Sequence, residues 1–212
     1  MYAPAFSAID EPSARALVNE IASGWLVTPV LDGPPAATLM PIMWQGNRII
    51  AHMAKANPHW RSITTGMPAL VIVTGPEAYI SPSWYASKSE HAKVVPTWNY
   101  LAVHLTGTVR VHRSSTWLHA AVTDLTDEHE THRTNRWQVG DAPDDFIAGQ
   151  LQAIVGIEMS IERVDGKAKL SQNRSDADQR GVIAGLEHDP DPRSGTAIAG
   201  RMRIEFSAHS GT

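Results

Sequence analysis

The sequence predicts a mainly β fold of the α+β class: an antiparallel barrel with helices inserted and appended. Three observations lead there. At least six stretches read as strands, and several follow one another across tight turns as hairpins do. The first half lacks the strand–helix alternation that a parallel, doubly wound sheet requires. The 212 residues are 42% apolar and 19% charged, which supplies a core and is too few charges for a disordered chain. Residues 1–188 are expected to form one domain, and 189–212 a C-terminal tail.

Taken in order, Asp10 is a candidate N-cap for a helix running to about Ser23, with Pro12 in its first turn. Ala14, Leu17, Val18 and Ile21 then fall at helical spacing. Strand-like stretches follow at Trp25 to Leu31, Ala37 to Trp44 and Arg48 to Ala54, and Gln45-Gly46-Asn47 turns the last two into a hairpin. Asn57-Pro58-His59-Trp60-Arg61 opens a short helix or turn. The β-branched, apolar run Ala69 to Thr74 is a buried strand, and a loop covers Ala86 to Lys93. From Leu101 to His112 apolar and polar residues alternate. Val103, Leu105, Val109 and Val111 share a face, and Gly107 marks a bulge or a close approach. Ser115 to about Thr131 and Asp144 to Ile154 read as helices. Gly156 to Val164 reads as a strand, Asp165-Gly166 as a turn and Lys167 to Leu170 as a short partner strand. Asp176 to Glu187 is helical. After the Pro/Asp-rich break from His188, the tail is expected to hold little structure.

The formal net charge is −4 and the isoelectric point about 6.2, which leaves no global electrostatic footprint for a nucleic acid. With no cysteine, disulfides, thiolate metal sites and cysteine nucleophiles are excluded. The N-terminal residues lack the pattern of a signal peptide, and no stretch has the length and apolarity of a membrane span, so a soluble cytoplasmic protein is expected. A Gly-rich dinucleotide fingerprint, a phosphate loop and a nucleophile elbow are all missing.

Five stretches are candidates for chemistry. Tyr79-Ile80-Ser81-Pro82-Ser83-Trp84-Tyr85 and Val95-Pro96-Thr97-Trp98-Asn99-Tyr100 set aromatic faces beside hydrogen-bonding groups, as a planar heteroaromatic ligand requires. His52 through Arg61 lies at a strand end and a helix start, where free backbone amides, Lys55 and Arg61 would suit a phosphate or propionate. Lys169-Leu170-Ser171-Gln172-Asn173-Arg174 reads either as a polar loop before a helix or as an anion clamp with the arginine fork as its strongest element. Glu128-His129-Glu130-Thr131-His132 has metal-like spacing, but the surrounding charge makes a solvated helix end the better reading.

These blocks resemble those of the PaiB-type proteins, commonly labelled FMN-binding negative transcriptional regulators. The resemblance runs from Met1-Tyr2 to about Met202. It includes His52 to Arg61, Gly75 to Tyr85, Lys93 to Tyr100 with His104, Gly156-Ile157-Glu158, Lys169 to Arg174, Gly181 to Leu186 and the Asp191-Pro192 break. It implies a split β-barrel related to pyridoxamine-phosphate oxidase and other flavin reductases. Such proteins usually form homodimers whose cofactor grooves lie between subunits.

On this resemblance the first reading is an FMN-binding homodimer acting on a small molecule. Lys55, Arg61, Lys169 and Arg174 would hold the phosphate, and Trp98, Asn99 and Tyr100 would meet the ring. Met53, Asn57, Trp60, Trp84, Ser171 and Gln172 complete the expected cofactor-binding set. A related branch resembles the piperazate synthases, which use haem b. By that resemblance His52 is the candidate axial ligand and the one expected metal contact, with Trp84, Trp98 and His104 around it. The longer Lys88 to Val95 loop follows ordinary PaiB-type members and puts piperazate chemistry itself in doubt. A third reading is a non-enzymatic regulator that binds DNA or a protein, although no helix-turn-helix pattern supports it.

Overall fold

The computed structural model describes residues 1–190 and 195–210, the last three by backbone alone. Seven strands form one antiparallel sheet in the order β1-β7-β4-β3-β2-β5-β6, with a further β7–β6 pairing that joins six of them in a ring. The strands are β1 (Ala8–Ile9), β2 (Ser23–Thr28), β3 (Ala36–Gln45), β4 (Arg48–Ala54), β5 (Met67–Ile80), β6 (Thr97–His112) and β7 (Ile154–Lys169). The helices are α1 (Glu11–Ile21), α2 (Ser87–His91), α3 (Ser115–Glu130), α4 (Asp144–Gln152), α5 (Asp176–His188) and α6 (Thr196–Ser210). The expected α+β class and antiparallel sheet are thus present. The chain divides into two compact units, one of residues 1–14, 74–103 and 165–212, the other of 15–73 and 104–164.

In the second unit β3 and β4 form the expected hairpin, with Gln45 opposite Arg48 across Gly46-Asn47. Gly46 takes φ +57, a conformation glycine adopts without steric cost. Strand β4 then pairs with the first half of β7, from Arg48 opposite Ser160 to Ala54 opposite Ile154. Strand β2 lies between β3 and β5. On β6 the period-2 pattern buries Val103, Leu105 and Val109. Gly107 is a close approach: a Cβ there would stand 1.8 Å from the Ser160 carbonyl oxygen on β7. Helix α3 starts where Ser114 Oγ accepts from the Trp117 amide at 3.5 Å, and buries Leu118, Ala121 and Leu125.

In the first unit β1 pairs with the far end of β7, Ala8 opposite Lys167 and Ile9 opposite Gly166. The expected turn at Asp165-Gly166 is therefore absent, and β7 runs through it. Gly166 is required there because a Cβ would lie 2.4 Å from an Ile9 side-chain carbon. Strand β6 begins at Thr97 and β5 reaches Ile80, so Tyr79, Trp98, Asn99 and Tyr100 are strand residues. The tail also differs from expectation. Helix α6 packs on α5, and its Ile198, Ala199 and Met202 are buried. Short apolar stretches flanked by arginines carry little helical periodicity, which hides such a helix from sequence reading. The Asp191-Pro192 break lies outside the described residues.

Candidate functional site

In the first unit, the paired stretches of β6 and β7 bring a cationic cluster against aromatic rings. Lys167 and Lys169 sit two apart on β7 and so share a face of the strand. Lys169 Nζ donates to Thr97 Oγ1 and, at 2.8 Å, to the Trp98 carbonyl. Burial pulls the Lys169 pKa below its usual value. Tyr100 works the other way, while the charges of Lys167 and Arg174 lower it further. Lys167 Nζ donates to the Tyr2 carbonyl at 3.2 Å and lies 5.3 Å from the Tyr100 ring centre. The Arg174 guanidinium stands 4.7 Å over the Tyr85 ring, within cation–π range. Trp98 and Tyr79 meet edge to face at 6.3 Å, and both rings are about half exposed.

The turn that carries Arg174 satisfies itself. Gln172 Oε1 accepts from the Leu170 amide at 2.8 Å, and Gln172 Nε2 donates to the Ala168 carbonyl. Ser171 holds φ +64, and its buried hydroxyl accepts from Asn99 Nδ2 at 3.0 Å. Asn99 is fully buried and also reaches Met202 Sδ at 3.5 Å. Asn99, Ser171 and Gln172 therefore hold the turn in place, and the cationic heads of Lys167, Lys169 and Arg174 are what this cluster presents to an anion. Trp84 packs on α5: a Cβ at Gly185 would sit 2.3 Å from its indole, and one at Gly181 2.0 Å from its carbonyl oxygen. Asp178, near the start of α5, accepts from both the amide and the hydroxyl of Ser87 at 2.9 Å. Burial opposes its ionisation, but these bonds and the Arg174 charge prevail and hold its pKa below the usual value.

The remaining predicted residues lie in the second unit. Asn57 caps the short 3-10 helix Pro58–Ser62, accepting from the His59 amide at 3.0 Å, and donates to Thr38 Oγ1 at 3.1 Å. His59 is buried, with its ring nitrogens 2.9 Å from Thr28 Oγ1 and 2.8 Å from Thr38 Oγ1. The Asn-Pro-His segment thus fastens that turn to β2 and β3. Lys55 Nζ donates to the Gln152 carbonyl. Trp60 donates to the Lys55 carbonyl at 3.0 Å, and its ring carries the guanidinium groups of Arg61 at 5.3 Å and Arg113 at 4.6 Å. Met53 is buried in the core.

His52, opposite Gly156 in the β4–β7 register, lines an apolar cavity of about 330 Å³. Burial pushes its pKa down, so the ring is neutral at pH 7. Its Nδ1 is sealed from solvent and has no partner among the described residues. Within Glu128–His132, Glu130 pairs with Arg133 at 3.0 Å. No group of His, Asp or Glu side chains able to hold a metal ion occurs among the described residues. No helix among them is long and apolar enough to cross a membrane.

The expected cofactor-binding set leaves out Lys167, Tyr79 and Tyr85, although both tyrosines lie in the first aromatic stretch. The Lys167–Lys169 spacing was a signal for one of them, whereas Tyr85 reaches Arg174 only through the fold. Nothing along the chain signals the cavity, whose walls come from β4, the start of β7, α3, α4 and the segment between those two helices.

Residues 1–163 match a family model described as "Putative FMN-binding domain". The chain is 33% identical over 181 residues to "Protease synthase and sporulation protein PAI 2" of Bacillus subtilis, covering 84% of each chain. It is 34% identical over 163 residues to an uncharacterised protein of Emericella nidulans, covering 65% of each. Among solved structures, it is similar to an FAD- and haem-binding protein of Mycobacterium smegmatis, with TM-score 0.59, 20% identity, and coverage of 84% of this chain and 80% of that one. The flavocytochrome Anf3 of Azotobacter vinelandii gives TM-score 0.57 at 13% identity, covering 77% and 69%. At these identities the two structures speak for the shared fold.

Proposed function

Starting from the family of FMN-binding domains to which this chain belongs, we propose that the protein is a PaiB-type homodimer that binds FMN and reduces a small molecule. One observation carries the reading: Lys167, Lys169 and Arg174 gather positive charge beside half-exposed Trp98 and Tyr79. A dianionic phosphate meets such a cluster with charge-assisted hydrogen bonds, and exposed aromatic faces suit a flat ring system. Tyr85 Oη, sealed and without a partner among the described residues, marks the same neighbourhood as one whose polar groups are incompletely used. When bound, the flavin supplies hydride and electron transfer. The protein's part is to neutralise the phosphate through Lys169 and Arg174, to hold the turn through Asn99 and Ser171, and to shield the ring with Trp98. The regulatory effect for which PaiB-type proteins are labelled would then run through the bound ligand or the consumed metabolite. The acidic net charge of −4 does not favour direct contact with DNA.

The test compares FMN with riboflavin, which lacks the phosphate. FMN fluorescence is quenched on binding, with FMN favoured over riboflavin by about tenfold or more, and K169A/R174A removes that preference. The same preparation sediments as a dimer of the 23.1 kDa chain. Absence of quenching by FMN, or an undiminished preference in the double variant, refutes the assignment.

Haem b with His52 as axial ligand is the second reading, supported by a neutral imidazole on an apolar cavity. The cavity's lining offers no cation for the propionates, and among the described residues His52 Nδ1 lacks the acceptor that iron-bound imidazoles ordinarily have. A Soret band on haem addition that vanishes in His52→Ala establishes this reading, and an unchanged band in the variant ends it.

A further inference from the structure

The His52 cavity has the features of a small-molecule site in its own right. About 330 Å³ lies at the small end of the range for ligand pockets, and its lining is mainly apolar with no charged side chain. Ile147, Leu151 and Ile154 supply aliphatic wall. Trp137 and Phe146 also line it while leaving 45% and 56% of their surfaces exposed. Isolated exposed apolar residues are ordinary, but two large aromatics converging on one concavity are not scattered surface. The segment bearing the indole is held. The Trp137 amide donates to Glu130 Oε2 at 3.2 Å, and Arg133 Nε pairs with the same carboxylate at 3.0 Å.

His52 gives this wall a directional polar group. Its Nδ1 is sealed with no partner among the described residues, which leaves Nε2 as the ring nitrogen for a molecule in the cavity His52 lines. A buried N–H without an acceptor is the rarer and costlier state, so the proton belongs on Nε2 and the accessible nitrogen is a donor. An anion would find no cation in the lining, and a cation no carboxylate. A peptide segment needs a groove and several backbone partners, which a cavity of this volume with so few polar groups does not offer.

We infer that this cavity binds an uncharged aromatic molecule of one or two rings that carries a carbonyl group, with the carbonyl accepting from His52 Nε2 and the ring packed against Trp137 and Phe146. The inference stands apart from the flavin reading, because it concerns different residues and is read by different ligands.

Acetophenone is the probe, with ethylbenzene as its isostere lacking the carbonyl and benzoate as its charged counterpart. Calorimetry and saturation-transfer NMR on the full chain show acetophenone bound about tenfold more tightly than ethylbenzene, as one hydrogen bond allows, with benzoate weaker still. His52→Ala abolishes the preference for acetophenone while ethylbenzene continues to bind, and His52→Gln, which keeps an N–H donor, restores part of it. W137A/F146A, altered at half-exposed positions that folding tolerates, lowers the affinity for both neutral probes about tenfold at unchanged melting temperature. Failure of both neutral probes to bind at millimolar concentration overturns the inference, as does a preference that survives His52→Ala. So does a haem Soret band lost in that variant, or a change of sedimenting mass in W137A/F146A, which would show that iron or a second copy claims this face.

Discussion

At the scale of single residues, Glu158 is a buried charge held from three sides. Its side chain is 4% exposed on β7 and is met by Arg110 at 3.3 Å, Arg48 at 3.6 Å and His112 at 3.3 Å. His112 in turn stacks on Trp117 at 4.0 Å, and Trp117 fills the space that a side chain at Gly156 would occupy. Burial lowers the His112 pKa, Glu158 raises it, and Arg110 and Arg48 lower it again. A buried carboxylate survives only when it is paired. Glu158→Gln removes the charge and leaves two guanidinium groups facing a neutral amide. Because both arginines are half exposed, the expected cost is about 2 kcal/mol, below the range for a fully buried pair. Urea unfolding of the variant checks this, and a cost under about 0.5 kcal/mol, typical of surface positions, contradicts it.

At the scale of elements, helix α6 is the main departure from expectation and has a measurable role. Met202 is 2% exposed, and its sulfur receives Asn99 Nδ2 from β6. Asn99 also holds Ser171 at the turn before Arg174. The last helix therefore braces the residues that place the cationic cluster. Met202→Ala is expected to destabilise the protein by about 2–3 kcal/mol, at the lower end for buried methionine truncation. It is also expected to weaken FMN binding more than an exposed substitution on the same helix such as Ile204→Ala, Ile204 being 68% exposed. Chemical denaturation and flavin titration of the two variants side by side decide this, and equal behaviour would mean that α6 does not brace the turn.

At the scale of the whole molecule, the resolved histidine shifts share one sign. His52, His59 and His112 are all lowered from 6.5, in each case first by burial. A group with a depressed folded pKa takes up a proton on unfolding, so its contribution is present above 6.5 and is lost as pH falls through the lower folded value. Asp178, also depressed, adds loss in the same direction at more acid pH, below its ordinary 3.8. Stability should therefore decline as the pH falls from 6.5 to 5, read as a falling urea midpoint at constant slope. A midpoint that is flat or rises over that interval contradicts the lowering of these three imidazole pKa values by burial.

Much of the architecture was legible along the chain because it depends on neighbours. Alternation marked β6, Gly46 marked the hairpin turn, the stretch from Ser115 to about Thr131 read as the helix that became α3, and the missing strand–helix alternation pointed to an antiparallel sheet. The stretches later found in the first cluster were recognisable as polar and aromatic blocks, and the Lys167–Lys169 period was visible as well. What the tertiary structure alone decided is which groups are spent and which are left over. Asn99, Ser171 and Gln172 look like ligand contacts in one dimension, yet their hydrogen bonds are consumed within the protein. Lys169 meets Thr97 from 72 residues away, and the walls around His52 come from separate strands and helices. Local backbone preference acts over a few residues, whereas burial, charge coupling and cavity shape depend on distances through space that only the closed fold determines.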